Sequence, residues 1–143
     1  MMKVFPVIIL TVLSFSACAG QKTHADNDVM EISFDGRNIS LINDDGHCGL
    51  ARSDDSLLRL GVKWPCWFSQ NYQGKVLLKN YLSAQIFMVQ HSEPAAPPHT
   101  SCTTDLQAIR YFKGSVELAP VRRVGTCDTS RWDQKVFVWQ FDW

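Results

Sequence analysis

The sequence predicts a mainly β protein, a small antiparallel sandwich or barrel-like domain stapled by two disulfides, with room for one short helix. Three observations carry this expectation. A hairpin pattern spans residues 29–42, short apolar stretches recur between clusters of Asp, Asn and Gly, and four cysteines remain once the N-terminal segment is set aside. Short strands punctuated at such spacing suit a sandwich or a small barrel, and a chain of 143 residues suits one domain.

The first segment, residues 1–17, reads as a signal peptide. Lys3 supplies the positive start, residues 4–13 are apolar except for Pro6 and Thr11, and small residues follow. The run is far shorter than the ~20 residues that span a membrane as a helix. Phe15-Ser16-Ala17-Cys18 resembles the lipobox of bacterial lipoproteins, in which small residues precede a cysteine that is acylated and becomes the first residue of the mature chain. That resemblance implies lipidation of Cys18, with residues 18–28 as a lipidated cysteine and flexible tether. The tether reading fits "QKTHADND", in which Ala25 is the lone apolar residue. Ala17-Cys18-Ala19 also satisfies the rule for ordinary signal cleavage, which would discard Cys18 and leave a soluble periplasmic or secreted chain.

Residues 29–143 form the expected single disulfide-stapled β-rich domain. In "VMEISFDGRNISLI" the pair Asp35-Gly36 suits a tight hairpin turn that needs positive φ. Pairing outward from it sets Phe34 against Arg37, Ile32 against Ile39 and Met30 against Leu41, with Ser33 opposite Asn38 and Glu31 opposite Ser40. One face is then mostly apolar and the other polar, and a slip of one residue would destroy the division. "NDDG" turns the chain into "HCGLAR", and "SDD" breaks it before "LLRLGVKWPCWF". "KVLLK" and "AQIFMVQ" follow as strands, the second a continuous apolar run expected at the centre of a sheet. A helix over residues 77–90 competes, because positions 77, 78, 81, 82 and 88 partly fit a 3.6-residue period. The Pro-rich residues 92–101 cannot hold a central strand and are expected to be a surface loop or crossover. "LQAIRYF" and "SVELAPVRRV" are further strands, with Gly114 as a turn and Pro120 as a break. At the end of the chain, alternation in "QKVFVWQFDW" sets Phe137, Trp139, Phe141 and Trp143 on one face, and the segment reads as a strand in the middle of a sheet.

Cys48, Cys66, Cys102 and Cys127 are an even set in a chain bound for an oxidising compartment, which predicts two disulfides. Sequential pairing, Cys48 with Cys66 and Cys102 with Cys127, closes the shortest loops. On the chain-entropy view each would contribute roughly 3 kcal/mol.

No metal site, cofactor or catalytic set is expected. His47-Cys48 with Cys66, or His99 with Cys102, would be zinc ligands only if the thiols were free, and no Cys-x-x-Cys or His-x-x-x-His pair occurs. Ser53-Asp54-Asp55 and His91-Ser92 lack a nucleophile elbow, and Asp44-Asp45-Gly46 lacks the alternating oxygen ligands of a calcium loop. Without Lys3 the chain carries thirteen basic and fourteen acidic residues, a balance that offers nothing to nucleic acid or to an anionic membrane, so membrane contact is expected through the lipid anchor alone.

What remains are features of recognition. "KWPCWF" sets Trp64 and Trp67 beside a cystine, either as core packing or as an exposed aromatic anchor. The loop carrying Pro97, Pro98 and His99 is constrained by proline and based on Cys102, as a docking element would be. "VRRV" with Arg131 and Lys135 forms either a basic rim or solvated edge charge. A signal, a lipidated cysteine, a short tether and a small stapled domain are similar in layout to exported bacterial inhibitors and toxin-immunity proteins. The resemblance implies a lipoprotein of the periplasm or cell envelope that captures or inhibits another protein by steric occlusion. A structural or assembly accessory lipoprotein of an envelope complex is the alternative, and a hydrolase with an unrecognised site the third.

Overall fold

The computed structural model describes residues 30–34 and 36–143. The predicted signal, Cys18 and the tether lie outside the described residues. The chain is mainly β, in two antiparallel sheets with no closed barrel, and carries one short helix.

The first sheet is a meander of β1 (Glu31–Phe34), β2 (Arg37–Asp44), β3 (His47–Arg52) and β4 (Leu57–Lys63), in that order. The β1–β2 register is the one the alternation predicts: Glu31 opposite Ser40, Ile32 opposite Ile39, Ser33 opposite Asn38 and Phe34 opposite Arg37. Gly36 has φ +70°, the left-handed backbone that a side chain resists. Phe34, Ile39, Leu41, Leu50, Leu60 and Val62 are buried from this sheet toward the second one.

The second sheet is built on two long central strands, β7 (Ala84–Pro94) and β8 (Cys102–Phe112), paired from Gln85 opposite Tyr111 to Pro94 opposite Cys102. The short β5 (Trp67–Phe68) and β6 (Lys79–Tyr81) both pair with β7, whereas β9 (Ser115–Leu118) and β10 (Arg122–Val124) both pair with β8. "AQIFMVQ" is a central strand, as its unbroken apolar run requires, and the competing helix over 77–90 does not form. Successive side chains point to opposite faces: Phe87 and Val89 join the core against the first sheet, while Ile86 and Met88 join a second core on the outer face.

Three expectations are corrected. "QKVFVWQFDW" is not a strand: it forms α1 (Gln134–Val138) and a following turn. Phe137 from α1 fills the second core with Ile86, Met88, Leu106, Ala108 and Ala119, so the element covers the sheet instead of joining it. The Pro-rich stretch begins as strand, because β7 runs through Pro94, where a hairpin edge tolerates proline. "KVLLK" contributes only a bridge from Val76 to Gln70 and the first residue of β6.

Both disulfides pair sequentially, with Cα separations of 6.0 Å for Cys48–Cys66 and 5.6 Å for Cys102–Cys127. The first does more than staple one group of strands, since Cys48 lies on β3 of the first sheet and Cys66 directly precedes β5 of the second. Two disulfides fit an oxidising, extracytoplasmic compartment. Among the described residues no helix is long and apolar enough to cross a membrane.

Candidate functional site

A concave feature lies between β6 and α1. It is an open groove of about 620 Å³ lined by Tyr81, Asp133, Gln134, Lys135, Val138 and Trp139. Its two walls have different local causes. On the helical side Asp133 caps α1, its carboxylate accepting from Val136 N at 3.2 Å, and Phe137 pins the helix to the sheet. A helix of five residues has no independent stability, so that buried ring holds the wall in place. On the strand side β6 pairs only with β7, and Leu82-Ser83 close the hairpin with φ of 43° and 64°.

Leucine in left-handed backbone costs about 1–2 kcal/mol, and the Leu82 side chain is 61% exposed, so no core contact offsets the strain. Trp139 is 54% exposed on the facing wall. Trp143, 47% exposed, meets Tyr81 edge-on at 4.8 Å between ring centroids. Arg110 fixes this end of the chain: its guanidinium lies 4.6 Å from the Phe141 ring centroid and 4.7 Å from that of Trp143, and Glu117 holds it through Nε at 2.6 Å. Gln140 adds a polar clamp, its Oε1 accepting from Ala108 N at 3.3 Å and its Nε2 donating to Val136 O at 2.7 Å.

Three cations rim the groove. Lys135 lines it, Arg122 lies 5.0 Å over the Trp139 ring, and Lys79 lies 5.9 Å over the Phe137 ring. Among the described residues none of the three is within ion-pair distance of a carboxylate. Arg123, the other arginine of "VRRV", is bound instead by Asp105 at 2.7 and 2.8 Å. That guanidinium holds the Asp105 carboxyl below the ordinary range.

Five of the recognition residues read from the sequence gather around the β7–β8 connection and the Cys48–Cys66 disulfide, whereas Arg122 and Lys135, read as a basic rim, are at the groove. Pro97, Pro98 and His99 are exposed at the tip of the β7–β8 connection, which is closed by Ala95 N to Ser101 O at 2.8 Å and braced by Cys102–Cys127. Trp64 and Trp67 are half-buried beside Cys48–Cys66, Trp64 packing against the inter-sheet core. His91 joins the two segments: its Nδ1 is 2.6 Å from the Pro65 carbonyl oxygen and its Nε2 is 2.9 Å from a Glu93 oxygen. The Lys63 ammonium stands 3.7 Å from the same oxygen, and His91 first and Lys63 second keep the Glu93 carboxyl below its usual range. "KWPCWF" and the base of the proline loop, separate in sequence, therefore form one surface. Trp67 stands opposite Gln90 of β7, and Gln90 Oε1 accepts from Trp132 Nε1 at 3.3 Å, one residue before the groove's Asp133.

Of the groove residues, Lys135 is readable from the sequence as part of a basic rim with "VRRV", whereas Tyr81 and Trp139 are not, because the terminal aromatics alternate as a strand would. Asp133 ahead of Gln-Lys-Val-Phe was the available sign of a helix start. No group of three or more potential metal ligands occurs among the described residues. A scan against models of protein families, a search of curated proteins and a search of solved structures find no match to this chain.

Proposed function

We propose that this chain is an exported, lipid-anchored bacterial protein that captures another protein of the cell envelope, in the manner of an inhibitor or a toxin-immunity protein. The observation that supports the reading best is the groove between β6 and α1. Exposed Tyr81, Leu82, Trp139 and Trp143 gather on one face, and contiguous apolar surface of this kind marks an interaction site. Tryptophan, tyrosine and arginine are also the residues that carry most binding energy in protein interfaces. Capture acts sterically: the rigid sheet, stapled by two disulfides, lays this face across the partner and blocks access to it.

A second contact surface has support of its own. The proline loop with His99 is held from two sides, by Cys102–Cys127 and by the His91–Glu93–Lys63 cluster, and a rigid loop loses little entropy on docking. Trp64 and Trp67 border the same surface.

Site-specific photocrosslinking in the native envelope tests both. A photoreactive residue is placed singly at 139, at 99, at 67 and, as a control on the first sheet, at 31. The expected result is one discrete protein adduct from 139 and none from 31. An adduct from 99 or 67 without one from 139 moves the contact to the loop end, and equal background from all four positions rejects capture. The anchor is tested by Cys18→Ala, which is expected to shift the chain from the membrane to the soluble fraction and to abolish fatty-acid labelling. Unchanged fractionation and no label on the wild type leave ordinary signal cleavage.

A further inference from the structure

We infer that the groove receives an extended, acidic segment of the captured protein that carries one bulky apolar anchor, an inference that rests on the protein-capture reading above. Three independent features converge on that chemistry. The first is shape: about 620 Å³ between the Tyr81 and Trp139 walls is in the range of pockets that take a compact group, and its lining is mostly apolar. An aromatic or branched aliphatic side chain fills such a space and buries both rings.

The second is charge. Lys135 in the lining, Arg122 over the Trp139 ring and Lys79 over the Phe137 ring have no ion-pair partner among the described residues, against the single lining carboxylate of Asp133, which the helix cap already engages. The surplus extends beyond the groove. Residues 63–143 carry nine Lys and Arg against six Asp and Glu, and residues 30–62 carry three against six. A ligand with carboxylates on either side of its anchor meets the rim cations and steers toward this end of the molecule.

The third is the backbone. Among the described residues β6 pairs with β7 alone, and on its other side the Asn80 carbonyl is engaged by the Gln134 side chain at 3.2 Å, a bond that an added strand would have to displace. An open edge is where an extended chain adds by main-chain hydrogen bonds while its side chains enter neighbouring pockets. Edge, pocket and rim together describe a peptide segment. A lipid surface would use the rings and the cations but not the strand edge.

The experiment uses the mature chain and a short synthetic fluorescent peptide in which glutamates flank a central tryptophan. Controls are the same peptide with lysines for glutamates, the same peptide with serine for tryptophan, and anionic phospholipid vesicles. Saturable binding of the acidic tryptophan peptide is expected, at least about tenfold tighter than either control peptide, and weakening with salt. Trp139→Ser is expected to abolish it, and Lys135→Glu and Arg122→Glu to weaken it roughly fivefold each. Arg59→Glu, on the first sheet, is expected to leave it unchanged. Melting curves accompany every variant, and the exposed position of Trp139 keeps its variant folded. Peptide binding indifferent to Trp139 and Lys135 overturns the inference, as does preference for vesicles. A dimer of the chain alone that Trp139→Ser dissolves also overturns it, in favour of a second copy as occupant. If no peptide binds while position 139 still crosslinks a partner, the inference fails and capture stands; if position 139 crosslinks nothing, capture itself has failed there.

Discussion

Gly61 stands where β4 of the first sheet meets β8 of the second, its amide donating to Oε1 of Gln107 at 2.8 Å while the Gln107 amide donates to Ala119 O at 2.8 Å. A Cβ at this position would come within 2.6 Å of Val121 Cγ2, and Val121 is β-branched and cannot swing aside. The Ala119–Val121 connection must therefore move, and the Gln107 bonds move with it. Gly61→Ala is expected to destabilise the fold by about 1–3 kcal/mol, read as a lower urea midpoint with an unchanged slope. Gln140 works in the same way on the outer face. Pro120 lies between β9 and β10, which each pair with β8, and Gln140 reaches back to accept from Ala108 N. Gln140→Leu leaves that buried amide without its acceptor and is expected to cost about 1–3 kcal/mol. Trp67 is a different case. It is half-buried, with its ring centroid 6.4 Å from that of His91, so Trp67→Ala is expected to cost less than the 3–5 kcal/mol typical of a fully buried aromatic. A loss in that full range would return the residue to the core.

The hairpin β6–β7 holds an inconsistency between local preference and observed backbone. Its turn needs two residues at positive φ and carries Leu82 and Ser83 where Asn and Gly are preferred. Strain kept at an exposed position beside a groove fits use of the Leu82 side chain as a contact. Leu82→Asn with Ser83→Gly is accordingly expected to raise stability by about 1 kcal/mol in thermal melts and to reduce photocrosslinking from position 139. A gain in stability with undiminished crosslinking would leave Leu82 without a role. The other hairpin, β1–β2, shows what makes an element legible: turn residues and alternating polarity point to one register, so both signals agree before any tertiary contact forms. β7 was legible because an unbroken apolar run must be covered on both faces, as it is. α1 was not. Four aromatics at every second position imitate a strand, and the deciding fact is tertiary: only Phe137 finds full burial, in a pocket that sheet side chains from distant segments create. The groove inherits the same illegibility, since its walls come from Tyr81 and Trp139, 58 positions apart.

At the scale of the whole molecule, polar pairs hold the surface together, two across strands and two within a turn or a single strand, and four carboxylates record it. Asp44 is lowered from its ordinary pKa by the Arg59 hydrogen bond, Asp54 by Ser56, Glu93 by His91 and Asp105 by Arg123. Each is ionised more readily in the folded chain than in the unfolded one, so the unfolded state binds more protons on acidification. The sign follows: the stabilisation is fully present above the unfolded carboxylate range, about pH 4, and is lost as pH falls through the lowered native values. Stability is expected to hold nearly level from neutral pH to about pH 5 and to decline below about pH 4, measured by urea unfolding at fixed ionic strength. Asp105 is the pair to isolate, because it joins β8 to β10 through both of its oxygens and its own side chain is only 16% exposed. Asp105→Asn keeps the shape and removes the charge. With Arg123 largely in solvent, the loss at neutral pH is expected to be about 1 kcal/mol, and it should shrink as pH falls through the lowered native range of Asp105. A difference that does not change at all with acidification would mean that the substitution disturbed packing, and that the Asp105–Arg123 pair contributes nothing through its charge.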